Sequence, residues 1–452
     1  MEEAEAFLAQ HPEVRFLDVF MYDLNGIIRG KRVDISMIKK LYKSGFPIPS
    51  SNVFLDVTGE NTNPDGRGDQ DGDPDGLLKP IPGTLSKVPW LEDDIAQVLT
   101  TMTDEDGVLS FEDPRNVLIH VMEQVKAQGL NPVVACELEF YLMDMERAPD
   151  GGPIAPTMPK SGRKPTGYQV YSMDEIDQFS DFFRDVVEAC DVQGIPAGPA
   201  SAEYSAGQFE INLNHVDDAV SACDHSALLQ RVIRGVAIKH GFEATFMAKP
   251  TLEGSGNGLH IHCSMLDNDG NNIFDNDGGA QGTDELRYAI GGMLETMHEG
   301  MAIFAPNINA FRRFAPGSYV PTCRAWSYNN RSTALRVPGG DAIARRFEHR
   351  IAGADANPYL VMAVMLAGAL HGIKNKIEPP EFSTGDATLH TDSTIPSSMQ
   401  QGLDCLGQAK VLPGIMGELY LSRYAQVKQF EYDRFLRETI SSKEYEWYML
   451  SR

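Results

Sequence analysis

No two of the six cysteines (Cys136, Cys190, Cys223, Cys263, Cys323, Cys405) stand in C-x-x-C spacing. That disfavours a zinc ribbon or a disulfide scaffold and suits a reducing compartment. Basic residues are in short supply: 39 Lys and Arg face 64 Asp and Glu, a formal net charge of −25. A nucleic-acid backbone requires the opposite balance, whereas a cationic substrate is compatible with this one. The start, Met1-Glu2-Glu3-Ala4-Glu5, lacks the basic head and apolar core of a signal peptide. No apolar helix candidate reaches the roughly 20 residues that span a bilayer, so a cytoplasmic protein is expected. Neither G-x-x-x-x-G-K-[ST] nor G-x-G-x-x-G occurs, which removes the P-loop and Rossmann readings. Internal repeats are missing too.

What is present is a chain of 452 residues, 42% hydrophobic and 23% charged, as expected for a globular protein of two or three domains. Up to about Asp106 it reads as one unit. A short helix (Ala4 to Ala9) precedes a strand, Val14 to Tyr22, and Asn25-Gly26 then turns into a second strand that ends at Asp34. Ser36 to Lys43 reads as helix, and Glu60 to Gly76 as an acidic loop. Within it, Asp69-Gln70-Asp71-Gly72-Asp73-Pro74 fails as a calcium loop, because Pro74 replaces the needed glycine and Pro80 the last ligand. From Asp113 onward long helices alternate with strands. Helices are expected over Asn116 to Gln128, Ser180 to Cys190, Asp217 to Lys239 and Thr283 to Ala305. Tyr359 to Leu370 follows an Asn357-Pro358 N-cap and reads as a buried helix. Ser383 to Gln400 is polar and irregular, and mobility is expected there. The pattern indicates an α+β protein with a largely antiparallel sheet.

Four strands share one unusual device. Val133 to Leu142 is apolar except for Glu137 and Glu139, which at i and i+2 point to one face. Gln208 to Asn214 alternates polar and apolar around Glu210 and Asn212; His260 and His262 share a face; Arg346, Glu348 and Arg350 do the same. A buried carboxylate pair is costly without cations nearby. Together the four strands describe the wall of a polar, ion-filled cavity. Glu137, Glu139, Glu203, Glu210, Glu348 and His260 could fill two sites for hard divalent ions, magnesium or manganese rather than zinc. Arg312, Arg313, Arg331, Arg336, Arg345, Arg346 and Arg350 add forks suited to phosphate and carboxylate. Metals with arginines favour phosphoryl transfer.

Taken together, Glu137-Leu138-Glu139-Phe140, Glu203 with Gly207-Gln208-Phe209-Glu210, Met247-Ala248-Lys249-Pro250 through Gly258-Leu259-His260-Ile261-His262, Asn330-Arg331-Ser332, and Arg346 to Arg350 with Asn357-Pro358-Tyr359 resemble the type I glutamine synthetase family. The resemblance implies an N-terminal β-grasp domain (1–108), a catalytic domain (109–452) whose sheet lines a funnel, and a dodecamer with active sites between subunits. It implies that Glu139, Glu203 and Glu210 hold one metal and Glu137, His260 and Glu348 the other. His262, Ser264, Arg331, Arg336 and Arg346 would contact ATP, and Gly256, Arg313 and Arg350 would bind L-glutamate. Arg331, Arg350 and Tyr319 would be the catalytic residues of a ligase that forms γ-glutamyl phosphate and passes it to an amine.

Two departures bear on which amine. Ammonia-using members carry a glutamate in the loop where this chain reads Arg313-Phe314-Ala315-Pro316-Gly317-Ser318-Tyr319, and an aspartate where it reads Ile48-Pro49-Ser50-Ser51. The chain is most similar to γ-glutamylpolyamine (γ-glutamylputrescine-type) synthetases, including Phe46 and the Trp326 region, so a primary amine, above all a polyamine, is the expected nucleophile. Ser255 stands where an asparagine contacts glutamate, and Ile343 where a lysine often lies near ATP. An ammonia-using glutamine synthetase and a catalytically silent relative remain the alternatives. No tyrosine loop for adenylylation is present, and that form of control is not expected.

Overall fold

The computed structural model describes residues 1–92, 94–165, 167–275, 282–315 and 318–451. Two sheets organise them. The first contains β1 (Phe16–Tyr22), β2 (Ile28–Asp34), β3 (Phe46–Pro49), β4 (Asp75–Pro80), β5 (Ser86–Lys87) and β6 (Ile95–Thr103). Its order is β2-β1-β6-β4-β3, with β5 on β6. The central β1–β6 pair is parallel and the others are antiparallel, which is the β-grasp pattern the sequence leads one to expect. All nine residues of β6 are buried, as its continuous apolar-and-threonine run requires of a central strand.

The second sheet contains β7 (Asn131–Asp144), β8 (Ala197–Ala202), β9 (Gln208–Leu213), β10 (Phe242–Thr245), β11 (Leu259–Leu266), β12 (Trp326–Tyr328), β13 (Leu335–Val337) and β14 (Phe347–His349). Its order is β12-β13-β14-β11-β7-β9-β8, with β10 also on β7. Within this sheet, among the described residues, only β12 and β13 pair in parallel. Cys136, Leu138, Phe140 and Leu142 of β7 are all fully buried against the helical side, where the Ala219–Lys239 helix packs. Alternation then sends Glu137 and Glu139 to the opposite face.

The expected helices form at Pro114–Lys126, Ser180–Gln193, Ala219–Lys239, Asp284–Phe304 and Pro358–Asn375, and the side chains of Asp113, Asp218, Thr283 and Asn357 cap four of them. The Asp284–Phe304 and Pro358–Asn375 helices touch backbone to backbone. A Cβ on Gly372 would lie 1.9 Å from the Tyr288 carbonyl oxygen, so only glycine permits that approach. The polar stretch 383–398 is irregular as expected, yet it is tied down. The Ser332 hydroxyl accepts from Ala387 N at 2.9 Å, Arg324 pairs with Asp392 at 2.8 Å, and Thr322 donates to the His390 carbonyl at 2.9 Å.

One hydrophobic core runs from Ala4 to Val427 and so includes both sheets. Polar contacts also join them: Tyr22 donates to the Ala227 carbonyl at 2.8 Å, and Asn357 to that of Asp23 at 2.9 Å. Beneath this junction Arg115 grips both oxygens of Asp224 at 2.9 Å while Tyr359 donates to the same carboxylate at 2.7 Å. Three helices meet at that buried group. Asp224→Ala is expected to destabilise the protein by about 3–5 kcal/mol, since it strands the Arg115 charge. An unchanged chemical-denaturation midpoint would show that the network contributes nothing.

Candidate active site

Strand register assembles the polar face. His260 lies opposite Glu137, Glu139 opposite Glu210, and His262 opposite Glu348, while Arg336 of β13 faces Glu348 from the other side. Glu203 follows the end of β8, and its backbone N–H donates to the Gln208 carbonyl, which places its carboxyl beside those of β7 and β9.

Three overlapping groups result, each with donor atoms within 4.8 Å of one another: Glu139, Glu203 and Glu210; Glu137, Glu210 and His260; Glu137, His262 and Glu348. The first is the trio expected from sequence. The second trio is divided, because Glu348 converges with His262 and not with His260, while His260 pairs with Glu210. The sheet explains this, since β14 sets Glu348 directly across from His262.

The electrostatics show what the face requires. Burial pushes the Glu210 carboxyl up to about 9, and the neighbouring charges of Glu137, Glu139 and Glu203 add to the rise. Burial likewise raises Glu139 and Glu203. Glu137 is also buried, but His260 and His262 outweigh that and hold it well below the usual carboxylate range. For Glu348, burial is overcome by Arg350, His262 and His260, which bring it to about 2. Hard divalent cations fit this oxygen-rich set with its one or two imidazoles, and they would relieve the repulsion among its acids.

His262 Nε2 lies 2.7 Å from Glu137, and Arg346 Nε donates to its Nδ1 at 3.1 Å. The arginine can only donate, so the proton of the neutral ring belongs on Nε2. Arg336 contacts Glu348 at 2.7 Å and Arg350 pairs with its other oxygen, leaving that carboxylate 1% exposed. The buried Nε atoms of Arg313, Arg336 and Arg350 have no hydrogen-bond partner. Buried donors are nearly always satisfied, so three orphaned guanidinium nitrogens around one cavity point to an anionic ligand.

That cavity has a volume of about 1070 Å³. Its wall includes Glu137, Glu139, Glu203, Glu210, His260, His262, Gly256, Arg313, Tyr319, Arg331, Arg336, Arg346 and Arg350, nearly the whole set singled out from sequence. Ser264 is not part of it; its hydroxyl donates to the Arg345 carbonyl at 3.0 Å. Glu348 lies behind the wall. The Gly256 segment is fastened by Tyr141, which donates to the Ser255 carbonyl at 2.8 Å, and by Gln208, which donates to that of Gly256 at 3.1 Å. A Cβ on Gly256 would meet Arg313 Cγ at 2.7 Å, so glycine lets the arginine lie flat there. Tyr168, Tyr204 and Glu253 also line the cavity and were not singled out from sequence, and Lys249, part of a motif quoted for the resemblance, was given no role there. Tyr168, Lys249 and Glu253 come from irregular segments and Tyr204 from a bend, where no periodicity marks a side chain's direction.

Comparison with known proteins places this geometry. The chain is 42% identical to gamma-glutamylputrescine synthetase PuuA of Escherichia coli (strain K12), across 99% of this chain and 94% of that one. It is 32% identical to the glutamate–isopropylamine ligase of a Pseudomonas species, across 90% and 89%. The solved ADP complex of GmaS superposes with a TM-score of 0.85 at 24% identity, covering 99% of this chain and all of that one, a likeness of fold. The family model "Glutamine synthetase, catalytic domain" matches residues 111–448, and with it the chain belongs to the glutamine synthetase family.

Proposed function

We propose that this protein is an ATP-dependent ligase that joins the γ-carboxylate of L-glutamate to a primary amine, with a polyamine of the putrescine type as its nucleophile. The observation that carries the reading is the single cavity in which clustered carboxylates face orphaned arginines. The relatives named for putrescine and isopropylamine support the choice of an alkyl amine.

In this reading Arg313, Arg350 and the backbone at Gly256 hold glutamate, while Arg331, Arg336, Arg346 and His262 surround the phosphates of ATP. Two or more Mg2+ or Mn2+ ions, held by Glu139, Glu203 and Glu210 and by Glu137, His260, His262 and Glu348, supply charge neutralisation for the phosphates. The glutamate γ-carboxylate oxygen attacks the γ-phosphorus, and ADP leaves. The arginines stabilise the charge on the transferring group. The amine arrives as an ammonium, gives up one proton to a carboxylate of the site, attacks the acyl carbon of γ-glutamyl phosphate, and yields its second proton to the departing phosphate. The C–O bond breaks and phosphate departs. Tyr319 stands at the rim in place of an acid and offers an aromatic face to the amine.

We read residues 1–108 as a β-grasp domain that closes a neighbouring subunit's funnel in a dodecamer. Exposed Trp447, Tyr448, Met449 and Leu450 at the C-terminal end support assembly. The six unpaired thiols support a cytoplasmic setting.

Phosphate release with ATP, glutamate and Mg2+ or Mn2+ across ammonium and an amine panel tests the reaction. Higher kcat/KM for at least one alkyl amine than for ammonium is expected; the reverse order for every amine would make this an ammonia-using glutamine synthetase. Glu348→Ala should lower turnover by more than roughly a hundredfold in a folded protein, whereas retained activity would remove Glu348 from the metal site. Metal binding should also expel protons. With Glu210 near 9, the metal-free protein binds more protons than the unfolded chain between about 4.5 and 9, so its stability falls as pH rises through that window. Added Mn2+ should raise Tm, and calorimetry in buffers of different ionisation enthalpy should report net proton release at pH 7.5. Neither effect occurring would mean that the acids hold no cation.

A further inference from the structure

Beside the main cavity lies a second one of about 340 Å³. The two meet at Tyr168, Glu253 and Gly254, which line both. The inner wall of the side cavity is largely apolar, with Met143, Pro153, Ile154, Ala155 and Ala206 beside the hydroxyls of Ser205 and Thr251. Such a wall has no use for ammonium or for the charged ends of ATP and glutamate, but it suits a chain of methylene groups.

Aromatic rings guard the junction. Tyr168 and Tyr204 are stacked with centroids 4.2 Å apart and planes 36° apart, and Tyr319 lies close enough for its phenol to act on that of Tyr204. All three rings are largely exposed. Tyr319 holds φ at +55°, a left-handed backbone that a bulky residue rarely adopts and that costs about 1–3 kcal/mol.

Glu253 supplies the charge. It is exposed at the mouth of both cavities and makes no hydrogen bond or ion pair among the described residues. Lys249 feels its charge, yet that ammonium is bonded to the Gly254 carbonyl. The segment carrying Glu253 is fixed nearby by the Ser255 N–H, which donates to Ser205 Oγ at 2.7 Å.

We propose that the junction of the two cavities is the subsite for the far end of a diamine: the methylene stem runs past Tyr168 and Tyr204 to the lip of the apolar wall, and Glu253, at the mouth that both cavities share, receives the distal ammonium. This assignment rests on the ligase reading and specifies which amines it favours. A monoamine fills the same apolar wall but leaves Glu253 unpaired, and ammonium reaches neither.

The test compares kcat/KM for 1,4-diaminobutane, 1-aminobutane and ammonium in the wild type, Glu253→Gln and Ala206→Leu. The wild type should prefer diaminobutane to aminobutane. Glu253→Gln should lower kcat/KM for diaminobutane roughly tenfold more than for aminobutane, through KM, as loss of a charge-assisted contact predicts. Ala206→Leu, which fills the side cavity, should depress both alkyl amines more than ammonium. Equal use of diaminobutane and aminobutane by the wild type, or an equal fall for both in Glu253→Gln with Tm unchanged, overturns the subsite and leaves the ligase reading standing. Phosphate release by the wild type with ammonium but with neither alkyl amine overturns both.

Discussion

The structure depends on the repulsion among acids that its sheet forces together. Glu137, Glu139 and Glu210 project from adjacent strands in fixed register, with Glu203 completing the group from the end of β8. Main-chain hydrogen bonds hold them there whatever their charges prefer. A buried pair of like charges normally relaxes by turning a rotamer or taking up a proton. Here the backbone cannot move, so the strain is expressed in proton affinity, and Glu210 is pushed to about 9. Rigidity comes from the opposite face, where Cys136, Leu138, Phe140, Phe209 and Ile211 are sealed into the core. The apolar half of each strand thus keeps the polar half in an arrangement that cations would relieve.

Glu348 shows the complementary solution. It is only 1% exposed, yet burial does not raise it, because Arg350, His262 and His260 outweigh that cost, and Arg336 and Arg350 each take one of its oxygens. Each arginine then retains a buried Nε without an acceptor. A guanidinium that spends one edge on Glu348 is held in a fixed orientation, with nitrogens to spare for an anion. The same carboxylate that converges with His262 and Glu137 therefore also positions two arginines, which couples the acid cluster of the cavity to its guanidinium groups.

Much of this was legible in the chain itself. Period-two alternation in Val133 to Leu142, Gln208 to Asn214 and Leu259 to Ser264 gave the strands and the shared face, apolar spacing gave the long helices, and the Asn357-Pro358 cap gave the start of the buried one; the capping roles of Asp113, Asp218 and Thr283 emerged only with the structure. Register was not legible: the resemblance grouped Glu348 with Glu137 and His260, and the sheet sets it across from His262. The partner of Ser264 was not legible either: at the far end of β11 its hydroxyl donates to the Arg345 carbonyl. Tyr168, Tyr204 and Glu253 carried no signal at all, because no rule of spacing predicts which way a side chain points in an irregular loop.

That division between regular and irregular backbone has a chemical logic. Metals, phosphate and glutamate must meet in one geometry for phosphoryl transfer, and adjacent strands hold side chains to that precision. The nucleophile needs less, since any unprotonated amine nitrogen that reaches the acyl carbon can react. Its selection can be left to loops that hang on the sheet's edge, where Tyr168, Tyr204, Glu253 and Tyr319 lie. A loop substitution there leaves the register of β7, β9, β11 and β14 untouched. That sequences similar to this one along at least 90% of its length are named for putrescine, for isopropylamine and for ethanolamide is what such an arrangement allows.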